Sequence, residues 1–237
     1  WFLDWGRDSL IACRGLLVSG FQEEALSVLR AFGALERNGT LPNVLNGADD
    51  ANRESSDAPL WFARACEEAV DQLGEECLES SLRQALVGIA QGFLRGTPTG
   101  VRVDAASGLV WSPAHFTWMD TNHPAGSPRE GFPIELQALW LGLLRFLDRL
   151  GAVSEGEPWR VLADRTEASL ERYWREDLGF ASDTLHAGPG QSAHQAVPDD
   201  HLRPNQLWLV TLGIWRGERA RRLVQTCGRH LLVPGAL

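Results

Sequence analysis

Apolar residues recur at three- and four-residue intervals along most of this chain, the period of an amphipathic helix. Leu10, Cys13 and Leu17, flanked by Ile11 and Leu16, mark a first helix, with Asp8 and Ser9 at its start and Gly20 at its end. A second runs from about Gln22 to Leu35, with Ala25, Val28, Leu29 and Phe32 on one face. Ser56 or Asp57 caps a third, which carries Leu60, Ala63, Cys66 and Val70; Pro59 suits its first turn. Leu82, Ala85, Leu86, Ile89, Ala90, Phe93 and Leu94 give a fourth. The period then changes. Val101 and Val103, then Leu109 and Trp111, flank Ala105-Ala106-Ser107-Gly108 and predict a small β-hairpin over residues 100–112.

The fifth helix, Ile134–Leu150, has almost no wet face, and a helix apolar all round is buried. Trp159–Trp174 is a more polar helix, with Leu162, Leu170, Tyr173 and Trp174 inward. Leu41–Arg53 and Gly179–His201 are rich in turn-forming and polar residues and read as loops, the second a long one. Arg203-Pro204 opens a helix with Leu207, Trp208 and Leu212. Ala220, Leu223, Val224, Cys227 and Leu231 mark a last one over Gly217–Leu232. The pattern is all-α: about eight helices in antiparallel pairs, with almost no strand, in one domain over residues 1–237.

One stretch joins the hairpin to the buried helix. It reads Thr117-Trp118-Met119-Asp120, then a polar loop through Asn122, Ser127, Pro128 and Arg129, then Phe132-Pro133-Ile134-Glu135-Leu136-Gln137-Ala138-Leu139-Trp140. An unpaired buried carboxylate is costly, so Glu135 has a reason to be there other than solubility.

These residues resemble the α-1,6-glucosidase domain of glycogen debranching enzymes, whose members carry TWMD, then TPR-x-G-x-P-V-E, then ALW. Asp4-Trp5-Gly6-Arg7-Asp8 is similar to the DWGRD segment of that family. Glu54-Ser55-Ser56-Asp57-Ala58-Pro59-Leu60-Trp61-Phe62 resembles its YNSVDAxLWF, and Arg203-Pro204-Asn205-Gln206 its RPNQ. The four motifs stand in the family's order from residue 4 to residue 206. Arg53, Phe132 and Ser127 depart from the family's Tyr-like, Lys-like and Thr positions.

The resemblance implies an (α/α)6 toroid of the six-hairpin glycosidase type, incomplete here with about eight helices, so that the chain is a fragment of that barrel. It implies a glycoside hydrolase that removes α-1,6-linked glucose stubs from glycogen or limit dextrin by an inverting acid/base mechanism, with no cofactor and no metal. Such chemistry needs one carboxylic acid to protonate the leaving oxygen and a second carboxylate to activate water. The resemblance places the general acid at Asp120, whose neighbours Trp118 and Met119 offer the apolar burial that raises an acid's pKa. It assigns Arg7 and Asp8 to the terminal glucose; Asp accepts from sugar hydroxyls and Arg donates in a fixed fork. The family's general base falls beyond the segment that matches Leu231-Leu232-Val233-Pro234. The chain alone is therefore expected to be inactive, with an apolar seam beside the Trp1 helix and Gly217–Leu232, covered by another copy or by further residues.

Each residue also has a plainer role available. Asp120 can cap a loop turn, and Asp8, Asp57 and Glu135 stand where helix-capping acids belong. The apolar helix weakens that role for Glu135. Asp57 and Glu135 are expected to share one mouth, on sugar hydroxyls or paired with Arg129 or Arg203; Arg129 and Asn205 are further substrate-binding candidates. Helical position favours core for Trp61 and Trp140, whereas Trp5 and Trp118 serve equally as sugar platforms. Two other readings stay open: a glucoamylase- or trehalase-like α-glucosidase on the same fold, and a non-catalytic module binding maltooligosaccharide.

Composition narrows the partners. Hydrophobic residues make up 44% and charged residues 22% of the 237, ordinary for a soluble globular chain. The net charge of −9 argues against nucleic acid and anionic membranes. Cys13, Cys66, Cys77 and Cys227 form no CxxC pair and read as reduced thiols of a cytoplasmic protein. His186, His194 and His201 share a segment with Asp199 and Asp200, but their spacing matches no zinc pattern, and a solvated loop is expected.

Overall fold

The computed structural model describes residues 3–121, 126–233 and 235. Trp1, Asn122 and Pro234, which enter the expectations above, lie outside the described residues. Among those described, eight α-helices carry the fold: α1 (Gly6–Val18), α2 (Gln22–Gly33), α3 (Ala58–Leu73), α4 (Ser80–Arg95), α5 (Ile134–Arg149), α6 (Trp159–Ser169), α7 (Leu207–Thr211) and α8 (Gly217–Leu231). α1 packs on α3, α3 on α5 and α5 on α7, so the odd-numbered helices form a row. α2 packs on α1 and α4, and α6 on α5, as a second layer.

The row is buried because its sequences are apolar on the sides that meet. Ile134 through Leu141 of α5 are all buried, as the absence of a wet face requires. Gln137, the one amide in that run, is fully satisfied: its Oε1 accepts from Val110 N at 2.7 Å, and its Nε2 donates to the Val110 and Pro133 carbonyls at 2.9 Å each. Those bonds fasten α5 to the expected hairpin, β3 (Arg102–Val103) paired with β4 (Val110–Trp111). Trp140 Nε1 donates to Gly108 O at 3.0 Å and holds the hairpin turn from beneath.

The turn that follows α2 meets α4 at two glycines. Gly39, at φ 86°, lies so close to Gly92 that a Cβ on Gly92 would sit 2.3 Å from the Gly39 Cα. Backbone cannot yield as a flexible side chain can. Gly92→Ala is therefore expected to destabilise by at least about 1–3 kcal/mol, the usual cost of overpacking, read as a lower urea midpoint.

Three expectations change. Gly179–His201 is not a loop throughout: β7 (Phe180–Ala181), β8 (Thr184–His186) and β9 (Val197–Asp199) lie in it. β8 pairs antiparallel with β9 on one side and with β5 (Gly131–Pro133) on the other, while β7 pairs with β6 (Trp174–Arg175). Strands of two or three residues are too short for alternation to show, and Pro198 stands inside one of them. The helix expected over Trp159–Trp174 ends at Ser169, continues as a 3-10 turn over Leu170–Tyr173 and then enters β6. The RPNQ helix likewise starts as a 3-10 turn, Pro204–Gln206, before the short α7.

Ile11 and Val18 on α1 and Val224 on α8 are exposed. No helix among the described residues is long and apolar enough to cross a membrane.

Candidate active site

The site lies where the odd-numbered helices begin. β1 (Asp4–Trp5) pairs with β2 (Val44–Leu45) and delivers the chain into α1. Gly6 is required at that junction, because a Cβ there would fall 2.4 Å from the Pro42 carbonyl oxygen. α1 starts at Gly6, earlier than its spacing suggested, so Arg7 and Asp8 both occupy its first turn.

Arg7 is the link between two acids. Its Nε donates to Asp57 Oδ2 at 2.6 Å and its Nη2 to Asp57 Oδ1 at 3.0 Å, a bidentate fork. Its Nη1 stands 3.7 Å from Asp120 Oδ2. Burial opposes its charge, but Asp57 outweighs that with help from Asp120, and the guanidinium is held above its usual range. Asp57, expected on sugar hydroxyls, on Arg129 or Arg203, or as a cap, is the buried partner of Arg7 and lines the second cavity described below. Ser55 Oγ does the capping, accepting from Ala58 N at 3.2 Å, and it also donates to Asp57 Oδ1 at 2.7 Å.

Asp120 is not buried as its neighbours suggested: 47% of its side chain is exposed. It faces an open cavity of about 480 Å³ together with Asp4, Trp5, Arg7, Asp8 and Trp118. A second cavity of about 340 Å³ shares Arg7 and Trp118 with the first and is floored by Ile11, Trp61 and Trp208. Trp61 is buried, as its helical position implied, yet its ring meets Trp208 edge-on at 4.8 Å and walls this cavity. Trp140 belongs wholly to the core.

Beneath the two cavities is a buried ionic cluster. Arg129, at φ 51°, is 1% exposed. Its Nη1 donates to Glu135 Oε1 and to Thr117 Oγ1, and its Nη2 to Glu135 Oε2 at 2.6 Å. Its Nε donates to Asp183 Oδ2 at 2.7 Å. Burial works against this charge, and Glu135 and Asp183 overcome it, so the guanidinium stays above its usual range. Desolvation, helped by the neighbouring Asp183 charge, pushes the Glu135 carboxyl up, against the opposing two-pronged contact from Arg129. Arg129, expected among the substrate-binding residues, has its donors taken up by protein and lines neither cavity. Glu135 lines the second cavity with both oxygens already engaged. Asn205 also lines it, and its Oδ1 accepts from Trp118 Nε1 at 2.9 Å.

Asp183 escaped notice in the sequence because its segment read as loop. Asp183 accepts from Arg129 and from Arg203, whose Nη1 lies 2.9 Å away, and from Asn205 Nδ2 at 2.7 Å. Arg203 also reaches Asp199 at 3.1 Å. Against its burial, bonds from His201 and Arg203 hold Asp199 below the usual carboxylate range. Among the described residues no group of three or more His, Cys, Asp or Glu side chains is placed to hold a metal ion.

Comparison with known proteins fixes the family. The profile of the amylo-alpha-1,6-glucosidase family matches residues 1–237, the whole chain. The chain belongs to this family. Among curated relatives of this amylo-alpha-1,6-glucosidase family member, the glycogen debranching enzyme of Saccharomyces cerevisiae is 26% identical over 206 residues. That match covers 62% of this chain and 13% of the yeast protein. Among solved structures, a rhamnosidase from Klebsiella oxytoca with rhamnose bound superposes with a TM-score of 0.60 at 14% identity. The superposition covers 96% of this chain and 42% of the rhamnosidase, and it shows a shared fold. The motifs, the family match and the fold together make the chain a glycoside hydrolase domain of the debranching-enzyme kind.

Proposed function

We propose that the chain hydrolyses α-1,6-linked glucose stubs on glycogen or limit dextrin by an inverting mechanism, with Asp120 as general acid and Arg7 and Asp8 holding the terminal glucose. The observation that carries this is the shared polar cavity: Asp8 and Asp120 face the same open space, with Arg7 between them. A sugar there would present hydroxyls to Asp8 and Arg7 and its glycosidic oxygen to Asp120. Trp5 and Trp118, 39% and 48% exposed, offer faces for stacking.

Glu135 and Asp57 are poor candidates for the water-activating base. Each has both oxygens hydrogen-bonded to an arginine, so neither presents a free oxygen to a water on the sugar. The row of odd-numbered helices is read as an arc of an (α/α)6 toroid. Cys13, Cys66, Cys77 and Cys227 are all free thiols, as a reducing cytoplasm keeps them.

The test is glucose release by the full-length protein from a branched limit dextrin, isomaltose, maltose and trehalose, with the anomer followed by NMR. Release of β-glucose from the α-1,6 substrates is expected. Preference for maltose or trehalose would move the assignment to a glucoamylase- or trehalase-like enzyme. Glucan binding without release would make the chain a binding module.

A further inference from the structure

We propose that Asp183 is the positioning residue for Asp120, acting through two hydrogen-bonded arms that grip Thr117, Trp118 and Met119. The inference rests on Asp120 being the general acid, but the geometry holds without that reading. Asp183 is 2% exposed and lines neither cavity, so it acts through other residues.

The first arm runs through Arg129. Asp183 Oδ2 accepts from Arg129 Nε at 2.7 Å, and Arg129 Nη1 donates to Thr117 Oγ1 at 3.1 Å. The same hydroxyl accepts from Met119 N at 3.3 Å, which closes a small turn just before Asp120. The second arm runs through Asn205. Asp183 Oδ1 accepts from Asn205 Nδ2 at 2.7 Å. A carboxylate can only accept, so it fixes which end of the Asn205 amide faces it. The amide oxygen is thereby turned to Trp118, whose Nε1 donates to it at 2.9 Å. Asn205 Nδ2 also lies 3.6 Å from Met119 Sδ. Each of the three residues before Asp120 is thus tied, and both ties converge on one carboxylate.

Asp183 is itself immobile. Its carbonyl accepts from Ile134 N at 3.0 Å and its N–H donates to Asp199 O at 2.8 Å, so α5 and β9 hold its backbone. Asp120, by contrast, is half exposed, and its ion contact to Arg7 is a loose 3.7 Å. What fixes it is the chain that leads into it.

The experiment uses Asp183→Asn and Thr117→Val in the full-length protein carrying 5-fluorotryptophan. The first removes the charge that orients Asn205 and anchors Arg129; the second is isosteric and cuts only the Arg129 arm. The Trp118 fluorine resonance, assigned by its loss in Trp118→Phe, is expected to shift or broaden in Asp183→Asn, with those of Trp140 and Trp159 unmoved. For Asp183→Asn, kcat on limit dextrin should fall by about 10²-fold, the scale of a 1 Å misplacement. KM should change by less than about threefold, because Arg7 and Asp8, which hold the terminal glucose, are not tied to Asp183. On 4-nitrophenyl α-glucoside, whose leaving group needs little protonation, the loss should shrink below about tenfold. Thr117→Val should show the same pattern more weakly, and it carries the test if Asp183→Asn does not fold. An unmoved Trp118 resonance overturns the proposal, as does an equal loss on both substrates or a loss confined to KM. A wild-type protein that releases no glucose refutes the functional reading, while the fluorine spectra still decide whether Asp183 positions the segment.

Discussion

Asp120→Asn in the full-length protein is expected to lower kcat by about 10²–10⁴-fold, the usual worth of general acid catalysis. Asn keeps the shape of the side chain and removes the proton, so glucan affinity should hold. The position of Asp120 supports that separation. Its oxygen meets Arg7 only at 3.7 Å, while Arg7 is fastened to Asp57 at 2.6 and 3.0 Å, so the arginine stays in place when Asp120 loses its charge. Steady-state kinetics on a limit dextrin, with calorimetry for binding, check both halves. Activity within about tenfold of wild type would remove Asp120 from the role.

The second large effect is on stability. Glu135→Ala should destabilise the protein by about 3–5 kcal/mol, because it leaves a buried cation short of a partner. That is a large part of a folding margin of about 5–15 kcal/mol. Arg129 has no route to solvent at 1% exposure, and without Glu135 its one remaining carboxylate is Asp183, which Arg203 shares. Glu135→Gln should cost less, since the amide oxygen still accepts one bond. The double variant Arg129→Leu with Glu135→Leu should regain much of the loss, as paired removal of buried charges generally does. Urea unfolding at constant m reads all of these. A double variant as unstable as Glu135→Ala would mean that an unpaired charge is not the cause.

The helices were legible because they are long enough for a 3.6-residue period to repeat, and α5 because its apolar run is unbroken. The acids and Arg7 were legible as motif residues in sequence, and the structure places Arg7, Asp8, Trp5, Trp118 and Asp120 on one cavity. The pairing of Glu135 with Arg129 was legible as one of its alternatives; the other partners were not. The fork from Arg7 to Asp57 spans 50 positions, and that from Arg129 to Asp183 spans 54. No local pattern encodes a contact at such separations. Asp120 misled on burial, because two large apolar neighbours do not bury a residue that sits at the rim of an open cavity. Asp183 misled because the strand it precedes has three residues and leaves no periodic trace.

The site is drawn from both ends of the chain, with Arg7 in the first helix and Asn205 just before the seventh. On a ribosome adding roughly 5–20 residues per second, about 10–40 s separate the synthesis of these two residues. Arg7 and Asp57 can meet early in that interval. Arg129 and Glu135 emerge later and wait for Asp183 with one anion between them. The N-terminal helices can therefore pack well before the cradle under Asp120 exists, and a nascent chain that stalls ahead of Asp183 holds a buried arginine only half neutralised.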